Sequence, residues 1–138
     1  MLQQSSQPIF RQHILRFMDR TFIDRRATDA DRLRARDVAQ AVLDGRTTVL
    51  EAVRELVYLA HTDAIADVED RRLIIGIESE TDHLPVGDVR RLWAPEALRE
   101  KDIEIASAEA WWKADFLEAC KRIAEGDINH WPTRSQPQ

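Results

Sequence analysis

The stretch 76-GIESETDHLPVGDVRRLWAP-95 decides the fold, because it interrupts a chain whose other segments are typical of amphipathic helices. Within it, the five polar residues 79–83 separate the apolar run 73–77 from Leu84. Two of the four glycines and two of the five prolines of the chain also lie in this stretch. Since glycine and proline tend to end regular elements, we predict one long irregular loop over about residues 76–94.

Apolar residues outside this loop recur three or four positions apart, a spacing typical of helices that bury one face. Thr28 with Asp31, and Thr48 with Glu51, match the capping-box pattern that starts a helix. Residues 73–77 are strand-like, but a lone strand has nothing to pair with, so we interpret them as a buried connector or a last helical turn. The predicted helices cover about residues 8–24, 49–61, 88–93 and 95–125, with another from near Asp29 to Gly45.

These elements predict an all-α fold, a single-domain, up-and-down bundle of four or five helices with one long irregular loop. A chain of 138 residues is long enough to bury about two-thirds of its unfolded surface in one core. The helical domain is expected over residues 8–126. Residues 1–7 are expected to form a disordered N-terminal tail, and residues 127–138 a mostly disordered C-terminal tail.

Composition narrows the functional classes. The formal net charge of −5 argues against a nucleic-acid partner and an anionic membrane surface, and it is compatible with a basic protein partner. Cys120 is the single cysteine, so no intramolecular disulfide can form. The first ten residues lack the basic start and apolar core of a signal peptide, and no apolar run is long enough to span a membrane. We therefore expect a cytoplasmic protein.

Two carboxylates fall on the apolar stripe of the helix predicted over 95–125. They are Asp102 and Glu109, and a carboxylate in that position must be paired, protonated or open to a cleft. Arg90 and Arg91 are candidate partners that would turn the loop into a structural clamp. The stripe itself consists of Leu98, Ile105, Trp112, Phe116, Cys120 and Ile123. If Trp112 faces the core, its neighbour Trp111 lies at a boundary or is exposed.

Acids and an imidazole in the loop suggest one chemical interpretation. A metal-dependent or carboxylate-assisted hydrolase could use the loop segment from Glu78 to His83, with Asp82 and His83 joined by Glu109. However, no His-x-x-x-His pair or cysteine cluster fixes a metal-binding spacing. Ser79 also lacks the glycine elbow of a nucleophile, and no glycine-rich phosphate loop is present. The hydrolase is therefore the alternative hypothesis, and the leading one assigns no catalytic residue, metal or cofactor.

The leading hypothesis is a protein-binding module, such as the inhibitor of a toxin or of another enzyme. Acids at the rim of the contact would steer a basic partner, and an exposed tryptophan would anchor it. A third interpretation is a structural protein that associates with copies of itself. The candidate contact residues are Glu78, Glu80, Asp82, His83, Trp93 and Trp111.

The motif SETDHLPVG, at residues 79–87, resembles that of a family of small bacterial helical proteins of unknown function. Outside the motif, the resemblance extends over residues 40–124 and includes Arg90, Trp93, Leu98, Glu109 and the Ala119–Cys120 pair. It implies a short, acidic, cytoplasmic helical protein similar to the immunity proteins that neutralise a toxin domain. It carries no catalytic residues over to this chain.

Overall fold

The computed structural model of the protein describes residues 25–126. It confirms the all-α prediction, since the described part contains helices and no strand longer than the single bridge between Arg25 and Thr62. The predicted helix over 8–24 and both predicted tails lie outside the described residues. The α-helices are α1 (Asp29–Leu43), α2 (Val49–Leu56), α3 (Val68–Thr81) and α4 (Pro95–Glu125), and the 3-10 helices are η1 (Leu59–His61) and η2 (Gly87–Leu92).

Both predicted capping boxes form. The Thr28 hydroxyl accepts the N–H of Asp31 at 3.0 Å, and the Asp31 carboxylate accepts the N–H of Thr28 at 2.9 Å, which fixes the start of α1. Thr48 caps α2 in the same way. Gly45 follows α1 with a φ of 76°, a left-handed conformation that glycine adopts without strain. These local signals place the first two described helices where the sequence predicted their starts.

The predicted helix over 49–61 forms as two pieces, because α2 ends at Leu56 and η1 follows after a turn. Thr62 is fully buried, and its hydroxyl donates to the Leu59 carbonyl at 2.7 Å and accepts the Ala64 N–H at 3.0 Å. The side chain thus supplies partners to the backbone where the helical ladder stops.

The prediction of an irregular segment from residue 76 is wrong for residues 76–81, because they form the last turns of α3. Residues 73–77 lie in the middle of this helix. The Asp67 carboxylate caps it by accepting the N–H groups of Glu69 and Asp70, at 2.7 and 3.1 Å. Burial at helical spacing overrides the extended preference of the isoleucines. The residues buried at steps of four, three and four are Asp70, Ile74, Ile77 and Thr81.

Helix α4 begins at Pro95, as predicted, and its fully buried residues all lie in its second half. Its buried residues start at Trp112, whereas Leu98 and Ile105 are half-buried. Residues 95–111 therefore form about 25 Å of helix, at 1.5 Å per residue, with no fully buried side chain. We call this segment the arm.

The four α-helices share one apolar core, and α1 and α4 form its most extensive interface. A charged pair links the start of α3 to the end of α4. Arg122 donates three hydrogen bonds of 2.7–3.2 Å to the Asp70 carboxylate, which is 2% exposed. Burial raises the pKa of Asp70, and the Arg122 guanidinium opposes that rise. Among residues 25–126, no helix is long and apolar enough to cross a membrane.

Candidate functional site

Glu109 caps a neighbouring helix. Its two carboxylate oxygens accept the N–H groups of Val49 and Leu50, the first two of α2, at 3.0 and 2.8 Å. Thr48 accepts the third N–H, that of Glu51, so every N–H group that the helix start leaves without a backbone partner has an acceptor. A carboxylate at a helix N-terminus is also favoured by the helix dipole. Glu109 is therefore explained as a structural anchor between α4 and α2.

Glu78 is likewise engaged inside the molecule. Arg54 of α2 donates to its carboxylate at 2.8 Å, and the same guanidinium donates to the carbonyl oxygens of Thr81 and Leu84 at 2.7 and 3.2 Å. These carbonyls belong to the end of α3 and the residues after it, where backbone acceptors lack helical partners. The Glu78–Arg54 pair therefore fixes the exit of the chain from α3.

Two contacts hold the connection 82–94 against the arm. Arg90 makes a bidentate pair with Asp102, with N–O distances of 2.8 and 3.1 Å. The hydrogen bond from Arg90 lowers the pKa of Asp102, which is exposed. His83 Nε2 lies 3.5 Å from a carboxylate oxygen of Glu104. Of the two arginines that the sequence offered as partners, Arg90 therefore provides the clamp.

Two candidate carboxylates remain open to solvent. Glu80 and Asp82 are both exposed, and neither accepts a hydrogen bond within the part of the chain that the structure describes. Partial burial of the Glu80 carboxyl raises its pKa, although the residue as a whole is exposed. Asp82 follows the last residue of α3 and precedes His83, which contacts the arm. These two acids are available to a cation from outside the chain.

The adjacent tryptophans of α4 differ in burial, as helical geometry requires. Trp112 is 5% exposed and packs in the core, so its neighbour Trp111 points outward and is 48% exposed. Trp93 is half-buried where η2 ends. Trp111 lies seven residues beyond Glu104, so the two share one side of the arm and are about 10 Å apart along its axis.

Exposed apolar side chains concentrate on the arm and η2. Val89 and Leu92 are 48% and 75% exposed, and they flank Arg90, which bonds to the arm. Ile103, at 73% exposed, follows the Asp102 partner of that arginine. We call Val89, Leu92, Ile103 and Trp111, together with Glu80 and Asp82, the arm surface. Val89, Leu92 and Ile103 were not among the candidate residues predicted from the sequence. The exposure of Ile103 could have been predicted, because it faces away from the apolar stripe that holds Ile105.

The acidic charge is concentrated in the same part of the sequence. Between the first and last candidate residues, 78–111, the chain carries nine acidic and four basic residues. This excess of five accounts for the whole formal charge of −5, since the rest of the chain has 16 acidic and 16 basic residues. A count along the sequence would have found this concentration, which the overall net charge hides.

The groups named for the hydrolase alternative do not converge. Glu109 binds the start of α2, Glu78 binds Arg54, and His83 contacts Glu104. Within the described range, 25–126, no group of three or more histidines, cysteines or acids is placed to hold a metal ion.

Comparisons of the chain with known proteins identify no related protein. No protein-family model matches the chain, and searches of curated proteins and of solved structures find no significant match.

Proposed function

We propose that this chain is a protein-binding module and that the arm surface binds a basic protein. The observation that carries this proposal is that four of the six large apolar side chains exposed among residues 25–126 lie on η2 and the arm. Trp111 is 48% exposed and Ile103 is 73% exposed on the same helical arm. Solvent-exposed tryptophan is a frequent anchor of protein interfaces, and grouped apolar side chains mark interaction surfaces.

Charge indicates the class of partner. All of the net negative charge falls within residues 78–111, and Glu80 and Asp82 have no partner inside the described chain. Like charge on a second copy would oppose self-association through this surface, whereas a basic protein would be attracted to it. Burial raises the pKa of the Glu80 carboxyl. A cation that pairs with Glu80 would favour the ionised form and oppose that rise.

The contacts beneath the surface support a rigid binding site. The Arg54–Glu78 pair holds the end of α3, where the connection 82–94 begins, and the Arg90–Asp102 pair holds η2 against the arm. A surface that is ordered before binding loses less conformational entropy when the complex forms. Glu78, Arg54 and Arg90 would therefore position the contact residues, while Glu80, Asp82 and Trp111 would touch the partner.

The specific partner that we propose is a basic toxin or other enzyme domain, which the chain would neutralise as an immunity protein does. This step rests on the resemblance of residues 40–124 and on the acidic arm surface. A rigid acidic module can inhibit an enzyme by covering a basic active site. Inhibition is therefore the activity to assay once a partner is in hand.

The test is affinity capture from a lysate of the source cell with three forms of the full chain. These are the wild type, the double variant Glu80→Lys with Asp82→Lys, and the control Asp115→Lys with Glu118→Lys. All four acids are exposed, and the control acids lie on α4 beyond the arm. Both variants change the net charge equally, so the comparison separates position from charge.

We expect one stoichiometric basic protein on the wild type and on the control, and its loss from the Glu80→Lys, Asp82→Lys variant. Quantitative mass spectrometry reads the result. Equal recovery of that protein by all three forms would contradict a contact at the arm surface. If no protein is recovered by any form, the proposal of a stable protein partner fails.

A further inference from the structure

A cavity outside the arm surface lies where α1, the turn before α3 and the end of α4 meet. Its volume is about 220 Å³, and its wall includes Arg32, Arg36 and Arg122. Apolar side chains, among them Ile65 and Ile123, form another part of the wall. The cavity therefore has both guanidinium donors and an apolar wall.

Most charges around the cavity are already engaged. Asp70 accepts three hydrogen bonds from Arg122, and Asp67 caps α3. Arg32 donates to Asp29 at 3.2 Å. Arg36 differs, because it lies at the exposed rim of the cavity and forms no hydrogen bond or ion pair with any of residues 25–126.

Arg34 provides the contrast on the same helix. It lies outside the cavity and donates to Glu55 at 3.1 Å on the surface. An arginine presents a planar fork of donors that matches a carboxylate, so Arg36 has the donors for an anion that enters the cavity. The three arginines and two aspartates of the lining leave a formal charge of +1 for such an anion.

The volume of the cavity limits the size of the apolar part of the ligand. An enclosed apolar cavity of about 150 Å³ holds benzene, and this cavity is larger and open to solvent, so it has room for an apolar body of that size with a charged group at its rim. We propose that the cavity binds a small organic carboxylate, with its carboxylate on Arg36 and its apolar body against Ile65 and Ile123. This site is separate from the arm surface and does not depend on the proposed partner.

The test is isothermal titration of the full chain with benzoate, beside benzyl alcohol as a neutral molecule of similar size and inorganic phosphate as a bare oxyanion. We expect saturable binding of one benzoate per chain and much weaker binding of the other two. Arg36→Gln should weaken benzoate binding about tenfold or more, since it removes a charge-assisted hydrogen bond. The matched control Arg34→Gln should leave the affinity unchanged.

Three results would overturn the proposal. Equal affinity for benzyl alcohol would mean an apolar cavity without anion recognition, and equal affinity for phosphate would remove the role of the apolar wall. Equal loss of affinity in Arg36→Gln and Arg34→Gln would reduce the effect to general charge. Failure of the full chain to bind benzoate would also reject the site.

Discussion

Replacement of Glu109 by alanine should destabilise the fold far more than loss of an ordinary acid on a helix. The substitution removes the acceptor for the Val49 and Leu50 N–H groups, which now lie 3.0 and 2.8 Å from the carboxylate. Both residues are buried, at 3% and 0% exposure, so water has restricted access to the released N–H groups. The start of α2 would then lack two of its acceptors.

The expected cost follows from these two contacts. Loss of a side-chain cap costs about 1 kcal/mol, and a buried N–H without a partner costs about 1–3 kcal/mol. Because some water will reach the helix end, we expect Glu109→Ala to lower the free energy of unfolding by about 2–3 kcal/mol. For a chain of this size that corresponds to a fall of roughly 10 °C in Tm. Glu109→Gln keeps one acceptor oxygen and should cost about half as much.

Urea unfolding followed by circular dichroism at 222 nm would measure the difference. The control is Glu118→Ala, which removes an exposed acid of the same helix that pairs with Lys121 at 3.5 Å. That surface pair should contribute less than about 1 kcal/mol. If Glu109→Ala unfolds within about 0.5 kcal/mol of the wild type, Glu109 does not anchor α2 and another role for this carboxylate must be considered.

Three further predictions concern the Asp70–Arg122 pair, Cys120 and Arg54. Arg122→Met should lower stability by about 3 kcal/mol at pH 7.5, because Asp70 loses its partner. Burial raises the pKa of Asp70, so its contribution to stability is complete below the ordinary carboxyl pKa of 3.8 and is lost as pH rises through the raised value. Urea unfolding of Arg122→Met at pH 4.5 should therefore show a smaller loss of stability than at pH 7.5. Burial raises the pKa of the Cys120 thiol to about 12, so a thiol reagent at pH 8 should modify Cys120 only after urea is added. Arg54→Met should accelerate hydrogen exchange in residues 82–86, which mass spectrometry would detect.

Local signals predicted the helix starts well. Thr28, Thr48 and Pro95 act through contacts within three or four residues, so their chemistry is visible in the sequence. The end of α3 was harder, because adjacent isoleucines and a glycine favour extended or broken structure. Burial at helical spacing from Asp70 to Thr81 decided the outcome, and that burial depends on the other helices.

The roles of the candidate acids required the tertiary structure. Glu78 and Glu109 reach partners 24 and 60 residues away, and no periodicity indicates such a distance. The pair between Arg90 and Asp102 was one of several pairings predicted from the sequence, and it is the one that forms in the structure. The exposure of Trp111 follows from helix geometry once Trp112 is buried, so this part of the surface was predictable.

In the part of the chain that the structure describes, the contacts separate the acids that bind other parts of the chain from those that remain free of such contacts. Glu109 and Asp70 bind other helices of the bundle, and Asp102 holds the connection 82–94 against the arm. Glu80 and Asp82 make no such contact within the described residues. Variants at the first three should therefore change stability, whereas variants at the last two should change binding with little effect on unfolding.

The most direct measurement is the affinity of the purified partner, once captured, for the wild type, Trp111→Ala and Tyr58→Ala by isothermal titration. Both aromatic residues are exposed, at 48% and 61%, but Tyr58 lies outside the arm surface and stacks against Arg25 at 4.5 Å. We predict that Trp111→Ala weakens binding about tenfold or more, as loss of an interface anchor does, and that Tyr58→Ala stays within about twofold. Unchanged affinity for Trp111→Ala, or an equal loss in both variants, would contradict the arm surface as the binding site.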